Sequence, residues 1–570
     1  MPRENAMRET GKQKTGGEAL AQQLALEGAT HVFGIPGVQL DWAVDALRKA
    51  ENAIRYVVPR HEQATSYMAD GFARTTGRPG VCMIVPGPGV LNAAAGLATA
   101  YACNSRVLCI AGHIHSQGIG KGYGLLHEIK DQGAVLDQVT KWRAQAHAPE
   151  EIPGLVRRAY KEMNSGRPAP VALEIPHDIL QARGEIEHVR PPEGEDHRLK
   201  PDAGQVRRIA AVLQASSFPV IYAGGGAVST GGGAALRRLA EMLGCPVVMS
   251  ENGRGAISDR HPLAFSTLAG RALLPHADVI VVAGSRFMET RGPYPAWDGR
   301  DVKYIYINTE AEAADEPRVS GMLVQADVGL ALAALADELP ANSGAHRRII
   351  PADRAAELRA WAQAQIDAIE PQASFVRALR AAIPEDGVFV NELTQVGYFA
   401  RVAYPVYAPG TIIGPGYQGT LGYGFPTGLG AAAGNPGRVV VSITGDGGFG
   451  WTLQELATAA RYRLNHIVVV FADGAFANVR GLQEDTFGQA YQAELHNPDF
   501  VALARSFGVG AAKVRDAQGL EGALKEAIRG GGPHLIEVEV GRMPSPWGLL
   551  RLKVPGSSTG TASSLPSPFM

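Results

Sequence analysis

The stretch GDGGFGWTLQELATAARYRLNHIVVVFADGAFANV, Gly445 to Val479, decides the fold of this chain. The β-branched run before it, RVVVSIT, ends at Gly445-Asp446-Gly447. A helical stretch, TLQELATAARY, follows, and a second β-branched run, HIVVVFA, ends at Asp473 in another glycine turn. Strand, crossover helix and strand predict two parallel neighbours with their carboxyl ends close together. Ligands of open α/β sheets bind beyond those ends. Two carboxylates there suit a hard divalent cation, and Mg²⁺ takes few protein ligands plus phosphate oxygens. Glycines at 445, 447 and 448 let backbone amides approach a phosphate. The spacing therefore predicts a magnesium–diphosphate clamp. The plainer alternative is a pair of solvated turn aspartates.

The same alternation extends outward. THVFGIPG, VCMIVPGPG, RVLCIAGH and PVALEIP are strand-like and are separated by helical stretches. A charged, proline-bearing segment, QARGEIEHVRPPEGEDHRLKPDAG, reads as a linker. A second α/β unit begins at FPVIYAGGGAVSTGGGAALRRLAEMLGCPVVMS, and a third carries GVFVNEL, TIIGP, RVVVSITGDG, HIVVVFADG and HLIEVEV. The pattern predicts an α/β protein with three doubly wound parallel-sheet domains. The glycine loop of the second unit is by itself a weak nucleotide-binding signal.

With 570 residues, the chain is too long for one ordinary core. A formal net charge of -2 implies no attraction to nucleic acid or to a membrane surface. No apolar run approaches the length of a membrane span, and the polar N-terminus carries no secretory h-region. Cys82, Cys103, Cys109 and Cys245 lack metal or disulfide spacing, so a cytoplasmic protein with small buried thiols is expected.

Gly445-Asp446-Gly447, then ELATA, then a strand ending 27 positions after Asp446, resembles the thiamine diphosphate motif. That motif usually ends in Asn-Asn, whereas this chain has Ala472-Asp473. The resemblance implies that Asp446, Asp473 and the backbone carbonyl of Ala475 ligate Mg²⁺. RHEQATSYMADGFART, Arg60 to Thr75, places Glu62 where the family has the glutamate that contacts the coenzyme's pyrimidine and drives loss of its C2 proton. VFGIPG and PGPGVLNAAAGLATAYACNSRVLCIAG resemble pyrimidine-domain loops of the acetolactate synthase branch, which implies cofactor contacts at Gly37 and Asn92. GYQGTLGYGFPTGLGAA resembles the segment under the thiazolium ring, with Gly419 as a backbone pyrimidine contact and Leu421 as the prop that bends the cofactor. Gln395 falls on a diphosphate-side glutamine, beside the clamp glycines Gly445, Gly447 and Gly448. NPDFVALARSFG, ENGRGAISDRHPLAF and ADVIVVAGSRF are also similar to that branch.

The resemblance implies a polar extension at 1–16, a pyrimidine-binding domain at 17–182 and a linker at 183–200. It continues with a central Rossmann-like domain at 201–340, a linker helix at 341–373, a diphosphate-binding domain at 374–549 and a tail at 550–570 that could fold as a lid. It implies a homodimer or homotetramer in which each active site joins Glu62 of one chain to Asp446 and Asp473 of its partner. Two departures stand out. The family's Phe-Gln-Glu near the substrate is Leu126-His127-Glu128, and a histidine there can give or take a proton. The stretch that contacts a flavin in the family is shortened to AFSTLAGRALLPHADV, so FAD is not expected. The implied activity is acetolactate synthase-like carboligation of 2-oxo acids. The alternatives are a 2-hydroxyacyl-CoA lyase, a 2-oxo acid decarboxylase, or an inactive regulatory subunit.

Overall fold

The structure, a computed structural model, describes residues 13–229, 231–289, 292–293, 302–315, 319–340 and 350–550. All of the expected tail at 550–570 except Leu550, and most of the N-terminal extension, lie outside them. The chain divides into two compact units. One comprises Met1–Asp70, Pro79–Asn164 and Pro168–His197, and the other Gly71–Arg78, Ser165–Arg167 and Arg198–Met570.

In the first unit the strands are β1 (Lys14–Thr15), β2 (His31–Gly34), β3 (Arg55–Val57), β4 (Gly80–Ile84), β5 (Val107–His113), β6 (Trp142–Gln145), β7 (Val171–Pro176) and β8 (Arg183–Gly184). Six of them form a parallel sheet in the order β3-β2-β4-β5-β7-β6. β1 and β8 pair antiparallel, Lys14 opposite Gly184. Residues expected to be extension and linker are thus hydrogen-bonded to each other. Thr15 also caps the helix Gly16–Leu26 in a reciprocal box with Glu18.

The second unit holds β9 (Pro219–Ala223), β10 (Val247–Met249), β11 (Ala264–Ser266), β12 (Val279–Ala283), β13 (Met288–Glu289), β14 (Gly292–Pro293), β15 (Lys303–Asn308) and β16 (Met322–Gln325). It continues with β17 (Val388–Asn391), β18 (Ile412–Ile413), β19 (Val440–Gly445), β20 (His466–Ala472), β21 (Gly510–Val514) and β22 (His534–Glu539). Two parallel sheets result, β11-β10-β9-β12-β15-β16 and β18-β17-β19-β20-β22-β21, and β13 pairs with β14. The three doubly wound sheets expected from the sequence are present. Their central strands are mostly apolar: β12, VIVVA, is fully buried, as are six of the seven residues of β20, HIVVVFA. A parallel sheet covered by helices on both faces needs such continuous runs. Among the described residues no helix is long and apolar enough to cross a membrane.

Each six-stranded sheet is wound the same way. The chain moves outward from one strand and then returns to that strand's other side, between β2 and β4, β9 and β12, and β17 and β19. Those three pairs are the switch points where open sheets hold ligands. At the central one the loops close on each other. The Gly224 and Gly226 amides donate to the Ala283 and Gly284 carbonyls at 2.8 and 3.0 Å. A Cβ at Gly224 would lie 2.3 Å from the Gly284 oxygen. The central glycine loop thus spends its amides on internal packing.

Candidate active site

In the third sheet β19, which flanks the switch point, and β20 are parallel neighbours with Gly445 opposite Phe471. Asp446 and Asp473 therefore follow adjacent strand ends. The crossover is more broken than its sequence suggested: a single helical turn Asp446–Phe449, a 3₁₀ turn Leu453–Glu455, then the helix Leu456–Tyr462. Asp446 is buried and held by three donors. The Gly447 amide reaches its Oδ1 at 3.0 Å, and the Gly474 amide and Asn497 Nδ2 reach its Oδ2 at 2.8 and 2.7 Å. Asp473 Oδ1 accepts from the Ala475 amide at 3.1 Å. Burial, with the Asp446 charge adding to it, pushes the Asp473 carboxyl up to about 6. The loop is pinned by the Leu495 amide to the Gly474 carbonyl and the Phe476 amide to the Ala493 carbonyl. The Ala475 carbonyl takes no part in that bridge.

The three clamp glycines are not equivalent. A Cβ at Gly448 would meet Glu392 Oε1 at 1.9 Å, and one at Gly447 would meet the Phe476 ring at 2.7 Å. At Gly445 nothing lies closer than 3.6 Å. Glu392, at the carboxyl end of β17, was not singled out by sequence. It is buried and ties the end of β17 to the segment that follows β18. Its oxygens accept from the Gly422 and Gly424 amides at 3.1 and 2.7 Å. Burial pushes its carboxyl up to about 7. Gln395 opens the helix Gln395–Ala403, capped by Thr394, and its side-chain oxygen is buried without a hydrogen-bond partner among the described residues. Gly419 has φ +58, a conformation that favours glycine, and Leu421 is exposed two positions on.

In the first unit, Glu62 opens the helix Glu62–Thr76 just after β3. Asn92, on the helix Pro88–Ala102, donates to Glu62 Oε2 at 3.0 Å. Gly37 lies in the loop after β2, where a Cβ would come within 2.4 Å of Val85 Cγ1 in the loop after β4. His127 is half-buried, and its Nδ1 lies 3.1 Å from Gln39 Oε1. The switch-point loops of this sheet carry Gly37 and Gln39 on one side and Gly87 on the other.

Three family models cover most of this chain. Residues 14–135 match the N-terminal TPP binding domain of thiamine pyrophosphate enzymes, 206–335 the central domain, and 394–538 the C-terminal TPP binding domain. A probable 2-ketoarginine decarboxylase of Pseudomonas aeruginosa is 34% identical over 542 residues, covering 92% of this chain and 94% of that protein. The chain belongs to the acetolactate synthase-like thiamine diphosphate enzymes. A probable acetolactate synthase large subunit of Methanocaldococcus jannaschii is 32% identical over 554 residues, 92% of each chain. The acetolactate synthase isozyme 1 large subunit of Escherichia coli is 28% identical over 543 residues, covering 93% of this chain and 95% of that one.

The residues present fit the family's cofactor. Two carboxylates crowd one strand-end crevice, and burial and the Asp446 charge raise Asp473 although Arg480 pulls the other way. Among the described residues no cluster of three or more metal-ligating side chains occurs, as suits an ion completed by carbonyl and phosphate oxygens. The orphaned Gln395 oxygen and the tight glycines at 447 and 448 line the same switch point. Asn497 had a sequence signal in the quoted NPDFVALARSFG, but its pairing with Asp446 had none. Glu392 had no signal beyond its place at a strand end.

Proposed function

We propose that this enzyme uses thiamine diphosphate and Mg²⁺ to form or break a carbon–carbon bond next to a carbonyl, as an acetolactate synthase-like carboligase acting on 2-oxo acids. The observation that carries this reading is the Asp446–Asp473 pair at the end of adjacent parallel strands, beside the tight glycines 447 and 448. Bound thiamine diphosphate supplies the carbon nucleophile and the electron sink for the bond next to the carbonyl.

The chain's own residues do the rest. Asp446, Asp473 and the Ala475 carbonyl hold the magnesium, while Gln395, Gly445, Gly447 and Gly448 receive the diphosphate. Gly419 meets the pyrimidine through its backbone and Leu421 supports the cofactor's bend. Glu62, oriented by Asn92, exchanges a proton with the pyrimidine, and Gly37 leaves room for its ring. His127 gives or takes a proton at the substrate. Active sites are shared between chains of a homodimer or homotetramer, Glu62 from one and the two aspartates from its partner. The internally bonded central glycine loop supports a reading without FAD there.

A 2-oxo acid decarboxylase is the second reading, favoured by the relative named as a probable 2-ketoarginine decarboxylase. A 2-hydroxyacyl-CoA lyase is a further alternative. Purified protein is expected to release thiamine diphosphate on acid treatment and to lose it on magnesium chelation. Incubation with a panel of 2-oxo acids and 2-hydroxyacyl-CoA esters, read by mass spectrometry, separates the readings. Acyloin-type products support the carboligase, aldehydes alone the decarboxylase, and turnover of only the CoA esters the lyase.

A further inference from the structure

The loop that carries His127 is held in a costly conformation. His127 has φ +68, where a side chain with a Cβ pays about 1–2 kcal/mol. Its carbonyl packs against Gly87, itself at φ +58, and a Cβ there would lie 2.3 Å from the His127 oxygen. What holds the loop from the other side is Gln39. Its side chain is buried and makes two contacts with neighbouring residues of the loop. Nε2 donates to the Leu126 carbonyl at 3.2 Å, and Oε1 faces His127 Nδ1 at 3.1 Å.

These two contacts together decide more than either alone. The Leu126 carbonyl is an acceptor only, so it needs the amide's NH₂. Turned the other way, the Gln39 oxygen would face that carbonyl with no proton between them. The amide orientation is therefore set by Leu126, and its oxygen is committed to the imidazole. An oxygen without a proton can meet Nδ1 only if Nδ1 carries one. A neutral imidazole has a single N–H, so Nε2 is left with the lone pair. Among the described residues no hydrogen bond to Nε2 occurs. An unconstrained histidine side chain favours the opposite tautomer, with the proton on Nε2.

We propose that Gln39 is a positioning residue that locks His127 in the Nδ1–H tautomer, so that the neutral ring presents Nε2 as a proton acceptor. Its consequence for turnover rests on the reading of His127 as the residue that faces substrate. On that reading Nε2 takes the proton of a substrate hydroxyl beside the bond that breaks. The ring becomes imidazolium, and Gln39 Oε1 keeps accepting from Nδ1–H. The proton returns from Nε2 in the reverse direction. A glutamine at 127 has no such cycle.

The test uses the full chain, labelled with ¹⁵N-histidine, and long-range ¹H–¹⁵N correlation at a pH where the ring is neutral. The His127 signal is assigned by its loss in His127→Gln. Wild type is expected to show a protonated Nδ1 and an unprotonated Nε2. Gln39→Leu, similar in size but without an acceptor, should move His127 to the Nε2–H form. Gln39→Glu should keep Nδ1–H through one carboxylate oxygen, while its other oxygen loses the bond to the Leu126 carbonyl. Gln39→Leu should also lower kcat by about tenfold, less than the about hundredfold that loss of a proton-transfer group costs. Its product ratio should shift in the direction seen in His127→Gln. A wild-type ring protonated on Nε2, or Nδ1–H surviving in Gln39→Leu, overturns the lock. If Gln39→Leu does not fold, the wild-type spectrum alone decides. Unchanged rate and product ratio in His127→Gln would sink the substrate-facing reading of His127, while the spectra would still uphold or overturn the lock.

Discussion

Asn497 Nδ2 donates to Asp446 Oδ2 at 2.7 Å across 51 positions of sequence. With the Gly474 amide on the same oxygen and the Gly447 amide on the other, the carboxylate is fixed from three sides. Asn497→Ala removes the only side-chain donor among the three. Partners of this kind tune the ligands they hold, and their loss costs about tenfold or more in metal affinity. Titration of the variant with thiamine diphosphate at fixed Mg²⁺, followed by intrinsic fluorescence, should show that loss. Wild-type affinity would mean that the two amides suffice.

On the proposed reading, Asp473 takes the place of the asparagine that usually ends the motif this stretch resembles. Asp473→Ala should weaken magnesium and thiamine diphosphate together, because the metal bridges protein and diphosphate. Asp473→Asn should bind both much better than the alanine variant, since an amide oxygen still ligates. Calorimetric titration of each variant with Mg²⁺ and cofactor checks the order. Equal affinities for Asp473→Ala and wild type would remove Asp473 from the ligand set.

Glu62→Gln should leave cofactor affinity within about threefold and lower turnover by about hundredfold or more. Glutamine keeps an acceptor for Asn92 Nδ2 but cannot exchange a proton with the pyrimidine. Deuterium exchange at the cofactor's C2, read by NMR after acid quench, should slow in parallel. Exchange at the wild-type rate would assign the proton transfer to another group.

The clamp glycines give a stability test without cofactor. Gly448→Ala drives a methyl into Glu392 Oε1, so the carboxylate or the turn must move, at about 1–3 kcal/mol. Gly445→Ala meets nothing closer than 3.6 Å at φ -86 and should melt within a degree or two of wild type. Thermal denaturation of the apo forms separates them. A Gly445→Ala variant that melts normally yet binds cofactor poorly would show that the ligand itself approaches this backbone.

Glu392 makes stability depend on pH. Unfolded, its carboxyl releases its proton near 4.5; folded, burial holds the proton up to about pH 7. Between those values the folded state binds more protons, so the group's contribution is full below about 4.5 and is lost as pH rises through 7. The loss is about 3 kcal/mol. Glu392→Gln abolishes this titration. The variant's melting temperature should therefore gain on wild type as pH rises from 5 to 7.5, whatever the constant cost of its altered hydrogen bonds to Gly422 and Gly424. Parallel curves for the two proteins would exclude Glu392 as the titrating group.

The sequence by itself determined the α/β class, the three parallel sheets and the placing of Asp446 and Asp473 at neighbouring strand ends. These are local matters: β-branched runs bounded by glycine turns, with helical stretches between, admit few other arrangements. The tertiary structure alone decided who holds the functional groups in place. Glu392 reaches Gly422 and Gly424, Asn497 reaches Asp446, and Gln39 reaches His127, each across 30 or more positions. No periodicity encodes such pairs, because they form only after the strand order β18-β17-β19-β20 or β3-β2-β4 brings distant loops to one switch point. The same reason separates Gly448, which a bridging carboxylate crowds, from Gly445, which nothing crowds: adjacent in motif, they differ only in what the folded sheet sets against them. It also explains why Lys14–Thr15 and Arg183–Gly184, expected from sequence to be extension and linker, became paired strands: their pairing is fixed by the fold between them and not by their own residues.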